Sequence, residues 1–141
     1  FRCKSNGIHS ARNNQPHQAH GGYDRIMNTR LIDSRFGNWV AVTKNTNEKI
    51  GWFCLKYIDN TDLVEVGYRL LYKHWGNGYA TEGAKALIDY GFNNCNLNEI
   101  VGITHPNNKR SQHVLEKCGL RFIKEWYVYE TDVFYYSIKK A

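Results

Sequence analysis

Two glycines, Gly76 and Gly78, stand beside aromatic residues at the start of the run YKHWGNGYATEGAKALIDYGF (72–92), directly ahead of an amphipathic pattern. A glycine turn that opens a helix is chemically useful. The first N–H groups of a helix have no internal partner, the helix dipole adds positive charge there, and glycine lets the backbone approach phosphate oxygens. Lys73 adds a cation at the rim. The other reading is geometric: a tight turn that uses glycines. No Lys-Ser/Thr pair follows the second glycine, so the run is not a P-loop. Thr81 stands where a dinucleotide fingerprint needs its third glycine. Spacing alone leaves both readings open.

Other chemistry-bearing residues narrow the field. Cys3, Cys54, Cys95 and Cys118 are scattered and form no C-x-x-C pair. That pattern fits structural thiols in a reducing compartment better than a disulfide framework or a zinc site. His17 and His20 are three apart in a polar stretch with no matching cysteine pair, so no metal is expected. The formal charge of +6 comes from lysines and arginines spread along the chain, with short pairs only at Lys109-Arg110 and Lys139-Lys140. No basic block is interleaved with aromatics. A solvated basic surface is therefore expected rather than a nucleic-acid face, and it favours acidic ligands or partners. No run approaches the roughly 18 apolar residues of a membrane helix, and no basic-then-apolar leader opens the chain. A cytoplasmic protein without a membrane partner is expected.

The elements that must position these residues follow from periodicity. A chain of 141 residues suits one domain, 1–141. Residues 10–22 read as a loop, and Ile26, Leu31, Ile32 and Phe36 suggest a helix over 23–36. The chain begins at Phe1 rather than Met, which leaves an upstream piece open. Residues 38–43 and 49–58 read as strands joined by a hairpin. In 63–71, Val64, Val66, Tyr68 and Leu70 alternate with Glu65, Gly67 and Arg69, a third strand. Ala80, Ala84, Leu87, Ile88 and Phe92 then form one helical stripe. Residues 99–104 are a short strand. A second helix follows, capped by Asn107 or Asn108, with Val114, Leu115 and Cys118 inward and Gly119 closing it. Two tail strands, 121–129 and 133–138, are joined by 130–132. The order predicts a mixed α/β (α+β) fold, helices on a largely antiparallel sheet.

Read together, EVGYRLLYKHWGNGYATEGAKALIDYGF and HPNNKRSQHVLEKCGLRF resemble the acetyl-CoA-binding region of the GNAT N-acetyltransferase superfamily, and more narrowly its RimJ/RimL-like branch. The resemblance covers about 39–138 and rests on two motifs in the right order. It implies helices on both faces of the sheet, with the family's opening strand and helix absent or shortened. It implies that Leu70 and Leu71 end the strand that binds the pantetheine arm, and that Trp75, Gly76, Asn77, Gly78, Tyr79 and Ala80 form the pyrophosphate loop. Lys73 stands where the family often has Gln or Arg; it keeps a charge and loses the guanidinium fork. Asn108 and Ser111 match the N-x-x-S of the second motif. The resemblance places Asn108 on the cofactor arm and Ser111 near the thioester sulfur, while helix capping also explains Asn108. Leu115 replaces the Tyr that protonates the thiolate in many relatives, which leaves Ser111, or a water it holds, as the candidate.

Acetyl transfer needs a neutral amine, a base for its proton, and donors for the tetrahedral oxyanion. A backbone N–H at the end of the 70–71 strand is one donor. Two carboxylates are candidate bases by resemblance: Glu130 by its distance from Ser111, and Glu65 on the strand beside the cofactor. Each also has a plain reading, Glu130 as a turn acid and Glu65 as the polar side of an alternating strand; Asp132 reads as a turn residue. An α-amine with a pKa near 7.7–8.0 is roughly a tenth neutral at pH 7, whereas a lysine near 10.4 is neutral less than about one time in a thousand. The expected acceptor is a protein N-terminal amine, with small amines (polyamines, amino sugars, amino acids) second. A non-catalytic acyl-CoA sensor is a third reading, and a homodimer is compatible with each.

Overall fold

The computed structural model describes residues 35–141. Six strands and two helices follow in order: β1 (Gly37–Val42), β2 (Lys49–Tyr57), β3 (Val64–Leu70), α1 (Tyr79–Asn94), β4 (Glu99–Thr104), α2 (Lys109–Lys117), β5 (Arg121–Val128) and β6 (Thr131–Lys139). A 3-10 turn, Tyr72–His74, lies between β3 and α1. The strands form one sheet in the order β1-β2-β3-β4-β6-β5. Four neighbour pairs are antiparallel and one, β3 with β4, is parallel. A parallel pair cannot be closed by a hairpin, and α1 supplies the crossover.

Both described helices lie on one face. In α1, Gly83 sits against the Phe53 ring, so close that a Cβ there would be 2.1 Å from Phe53 Cζ. Gly91 meets Ile100, and Leu115 of α2 covers Gly102. Ile100 and Gly102 are two apart on one strand, so they share a face. The main core lies between that face and the helices and includes Trp39, Phe53, Leu55, Val66, Leu87, Ile100 and Leu120. Each fully buried large side chain there is worth about 1.5–3 kcal/mol of transfer free energy. A smaller cluster on the opposite face centres on Ile58, Val101 and Tyr135.

The expected strands and helices appear within a residue or two of their predicted bounds, and 99–104 matches outright. The tail hairpin differs. Val128 pairs with Thr131, so the connection is only Tyr129 and Glu130, and Asp132 lies in β6 opposite Tyr127. Both turn residues are left-handed, with φ of 54° and 60°, the backbone that matches strand twist in two-residue hairpins. The loop over 10–22, His17, His20 and Cys3 lie outside the described residues, as does most of the helix expected over 23–36. Of that helix only Arg35 and Phe36 are described; neither is helical, and Phe36 is buried against Tyr57.

Candidate active site

β3 and β4 run side by side but are bridged at one position, Glu65 with Val101. Beyond it β3 continues for five residues to Leu70, or roughly 17 Å at strand rise, while β4 diverges. A cleft of about 310 Å³ occupies this opening. Cys54 and Lys56 of β2 and Glu65 of β3 line it from one face of the sheet; Tyr68, Ser111 and Leu115 line it from the helix face. The opening therefore passes through the plane of the sheet. Alternation fixes which amides face it. Leu71 N–H donates to Ile50 O of β2 at 2.8 Å, so the backbone groups of Leu70 and Tyr68 point the other way, into the gap.

At the wide end, the turn after β3 is held by its own backbone. His74 N–H donates to Leu71 O at 2.9 Å and Trp75 N–H to Tyr72 O at 3.0 Å. The Trp75 indole N–H donates to Leu70 O at 3.0 Å, and Asn77 Nδ2 donates to His74 O at 3.2 Å. Gly76 and Gly78 then take φ of +81° and +78°, and a Cβ on either would meet nothing within 4 Å. Glu82 N–H donates to Gly78 O, the first backbone bond of α1. The amides ahead of it, at Tyr79, Ala80 and Thr81, belong to the first turn, where helices leave donors without helical partners. The loop is thus a shallow cradle with donors aimed outward and no side chain filling it. That fits the diphosphate of a CoA thioester.

Two groups near the loop have partners already. Lys73 is ion-paired with Glu48, which lowers the Glu48 carboxyl below its usual range. Leu71 N–H is already committed to β2, and at the same strand end the Leu70 N–H is the one that faces the gap. The cation nearest the loop tryptophan comes instead from α2, with the Arg110 guanidinium 4.9 Å over the Trp75 ring.

At the narrow end, Glu65 is 6% exposed and its Oε1 lies 3.3 Å from Lys56 Nζ. Burial, the largest single influence, works to lower the Lys56 pKa, but Glu65, Tyr129 and Cys54 together outweigh it and hold the ammonium above its ordinary range. The Tyr129 ring lies 5.3 Å from the same ammonium, and its phenol oxygen accepts the Asp59 N–H at 3.3 Å. The β5–β6 hairpin tip is thereby pinned over the end of β2. Cys54 is pushed up to about 12, first by burial and then by the Glu65 charge, so its thiol keeps its proton at neutral pH. Asn108 caps α2 by accepting the Ser111 N–H at 3.1 Å. The Ser111 hydroxyl accepts a long hydrogen bond, 3.4 Å, from the Tyr68 phenol. Burial raises Tyr68 above its usual pKa, so it stays a donor at neutral pH.

Glu65 and Ser111 thus meet in one cleft, and the glycine loop follows the far end of β3. Glu130 is exposed on the hairpin turn and does not line the cleft. Sequence reasoning missed Lys56, Tyr68 and Arg110. A lysine inside the otherwise apolar run WFCLKY was the available signal for the first. The other two depend on contacts across 43 and 35 residues of chain.

Comparison with known proteins agrees with this fold. Residues 7–121 match the acetyltransferase (GNAT) domain. The chain is 39% identical over 93 residues to the uncharacterized protein YkkB of Bacillus subtilis, covering 62% of this chain and 54% of that one. It is 33% identical over 110 residues to the FsC-acetyl coenzyme A-N(2)-transacetylase of Aspergillus fumigatus, covering 72% and 46%. The chain therefore spans about half the length of these curated relatives. Among solved structures, the ribosomal-protein-S5-alanine acetyltransferase of Vibrio fischeri superposes with a TM-score of 0.64 at 26% identity, covering 74% of this chain and 61% of that one.

Proposed function

The chain belongs to the acetyltransferase (GNAT) family, and on that premise we propose that it transfers the acetyl group of acetyl-CoA directly to a primary amine, most specifically the α-amine at a protein N-terminus, in the manner of the RimJ/RimL-like branch. The observation that carries the reading is the opening between β3 and β4, with an unfilled glycine cradle at one end and a buried carboxylate at the other. Acetyl-CoA supplies the acyl thioester. The amides of Gly76 to Ala80 seat its diphosphate, and the gap-facing groups of Leu70 and Tyr68 hold its arm in the manner of an added strand. Glu65 accepts the proton of the incoming amine, directly or through one water. Ser111, oriented by its N-terminal helix position and by the Tyr68 phenol, offers its hydroxyl toward the leaving sulfur. A thiol with a pKa of about 8.5 leaves readily as thiolate, so a hydrogen bond there is enough. Glu130 serves as a second acid at the acceptor's entrance, orienting it from the hairpin tip. We place this activity in the cytoplasm.

A small-molecule amine is the second reading, favoured by the Aspergillus fumigatus relative, whose name specifies N(2) transacetylation. The deciding measurement is CoA release against N-terminal peptides, polyamines and amino sugars, repeated with Glu65→Gln and Glu130→Gln. Glu65→Gln is expected to lower kcat by about 10² or more, with the KM for acetyl-CoA unchanged, and Glu130→Gln to raise mainly the acceptor KM. Full activity in both variants would sink the base assignment. A protein that binds acetyl-CoA and releases no CoA with any amine is a sensor, and one that gains no thermal stability from acetyl-CoA is neither.

A further inference from the structure

Lys56 is not needed by the chemistry described above, yet it lies at the catalytic end of the cleft. Its ammonium is 3.3 Å from Glu65 Oε1, and its side chain is 26% exposed against 7% for that of Glu65. Both residues line the cleft, and the positive member of the pair is the more exposed there. Lys56, Cys54 and Glu65 share the face of the sheet opposite α1, whereas the Ser111 hydroxyl and α1 belong to the helix face. With the thioester arm entering along β3, an acceptor amine reaching Glu65 comes from the Lys56 side.

We propose that Lys56 is a specificity-determining residue that selects acceptor amines flanked by an anionic or neutral group and rejects polycations. The inference rests on the acetyltransferase reading and deepens it by naming the charge of the substrate. An amine must reach Glu65 past an ammonium already bonded to it, so a second ammonium on the acceptor meets a like charge in a partly desolvated wall. A carboxylate on the acceptor finds an ion partner there instead. The Lys56 cation is fixed in place. Its ammonium lies by the Tyr129 ring, and Tyr129 is tied to the Asp59 backbone. It also stays charged, because Glu65, with Tyr129 and Cys54, together override the effect of burial. Asp59 is a further charge acting on Tyr129, Arg110 acts on Tyr68 in the same cleft, and the whole chain carries +6. A lysine placed only to neutralise a buried carboxylate would show no preference among acceptors.

The test uses the full chain, acetyl-CoA, and peptides of equal length beginning Ala-Glu, Ala-Ala and Ala-Lys, with spermidine as the polycation. Wild type is expected to rank Ala-Glu above Ala-Ala above Ala-Lys in kcat/KM, with about five- to tenfold between the extremes, and to use spermidine least. Lys56→Gln, which can still hydrogen-bond Glu65, is expected to flatten that order, mainly through acceptor KM, and Lys56→Arg to restore it. The KM for acetyl-CoA stays constant in all three. A wild type that uses Ala-Lys or spermidine as well as Ala-Glu overturns the proposal without reference to any variant, and so does a Lys56→Gln protein that keeps the wild-type order. Loss of the underlying reading looks different: no acceptor releases CoA in wild type, and the proposal goes with it.

Discussion

Gly76 and Gly78 combine two properties that a ligand cradle needs and a packing turn does not. Both are left-handed, and neither has chain atoms where a Cβ would stand. An L-residue in that conformation costs about 1–2 kcal/mol. Gly76→Ala is therefore expected to lower unfolding free energy by about that amount in urea titration. It should weaken acetyl-CoA binding by a larger factor, read by calorimetry, because the methyl group would occupy the space open to phosphate oxygens. A stability loss with unchanged acetyl-CoA affinity would return the loop to a plain turn. The glycines themselves were legible in the sequence, but their spacing could not choose between the two roles. What supports the cradle is the empty volume beside them, which spacing does not report. Glu65 was legible for the same reason that it was ambiguous, since an alternating strand puts an acid on its polar side whether or not chemistry needs it. Lys56 beside it, and the Tyr68 phenol at Ser111, depend on register and helix placement that one strand's sequence does not carry.

At the scale of elements, α1 shows how a poor helix former can be required. Glycine in a helix interior costs about 0.8–1 kcal/mol relative to alanine, yet Gly83 lies mid-helix because Phe53 fills the space its Cβ would need. Gly83→Ala gains propensity and loses more to overpacking, which costs about 1–3 kcal/mol. The expected outcome is a net destabilisation of about 1 kcal/mol in urea unfolding, recovered by adding Phe53→Leu. If Gly83→Ala stabilises the protein, the close approach of α1 to β2 is not a constraint. The sequence stripe of Ala84, Leu87 and Ile88 marked the buried side of this helix correctly, because apolar periodicity reports burial. It did not mark Gly83 and Gly91, because glycine carries no apolar signal. The α2 cap was readable in Asn108, whose side chain does accept the Ser111 N–H. The tail hairpin was not readable. Tyr129 and Glu130 are left-handed without being Asn, Asp or Gly, held there by strand pairing and by the Tyr129–Asp59 contact. That shortened turn is also what takes Glu130 out of the cleft wall.

For the whole molecule, burial acts on several proton-bearing groups in one direction. Cys54 rises from 9.0 to about 12, and burial also raises Cys118, Tyr68 and Tyr129. Each keeps its proton longer folded than unfolded. The unfolded chain thus binds fewer protons at alkaline pH, and stability must fall as pH rises. For Cys54 the contribution is complete below pH 9 and is lost between pH 9 and about 12. Its slope reaches at most about 1.4 kcal/mol per pH unit. Lys56, also raised, adds a loss at still higher pH by the same sign. Denaturant midpoints measured from pH 7 to 10.5 are expected to stay flat to about pH 9 and then decline. Cys54→Ala should make the decline shallower while lowering stability at neutral pH. A midpoint that rises above pH 9 would contradict the sign.

The single bridge between Glu65 and Val101 also divides the sheet into two three-stranded leaves, β1-β2-β3 and β4-β6-β5, sharing one spine. Among the described residues, α1, that bridge and the Asp59–Tyr129 contact tie the leaves together. A ligand laid along β3 would act as mortar between the leaves, and its presence should be written in an alternating pattern of amide hydrogen exchange. Tyr68 and Leu70 face the seam, so acetyl-CoA should slow their exchange, whereas Gly67 and Arg69 face β2 and should exchange at the same rate with or without it. Equal protection of all four residues would mean that the leaves close as a block rather than being stitched by the ligand. In the stitched case, the rigidity of the sheet belongs to the complex, and the bare chain is a book held open at its spine.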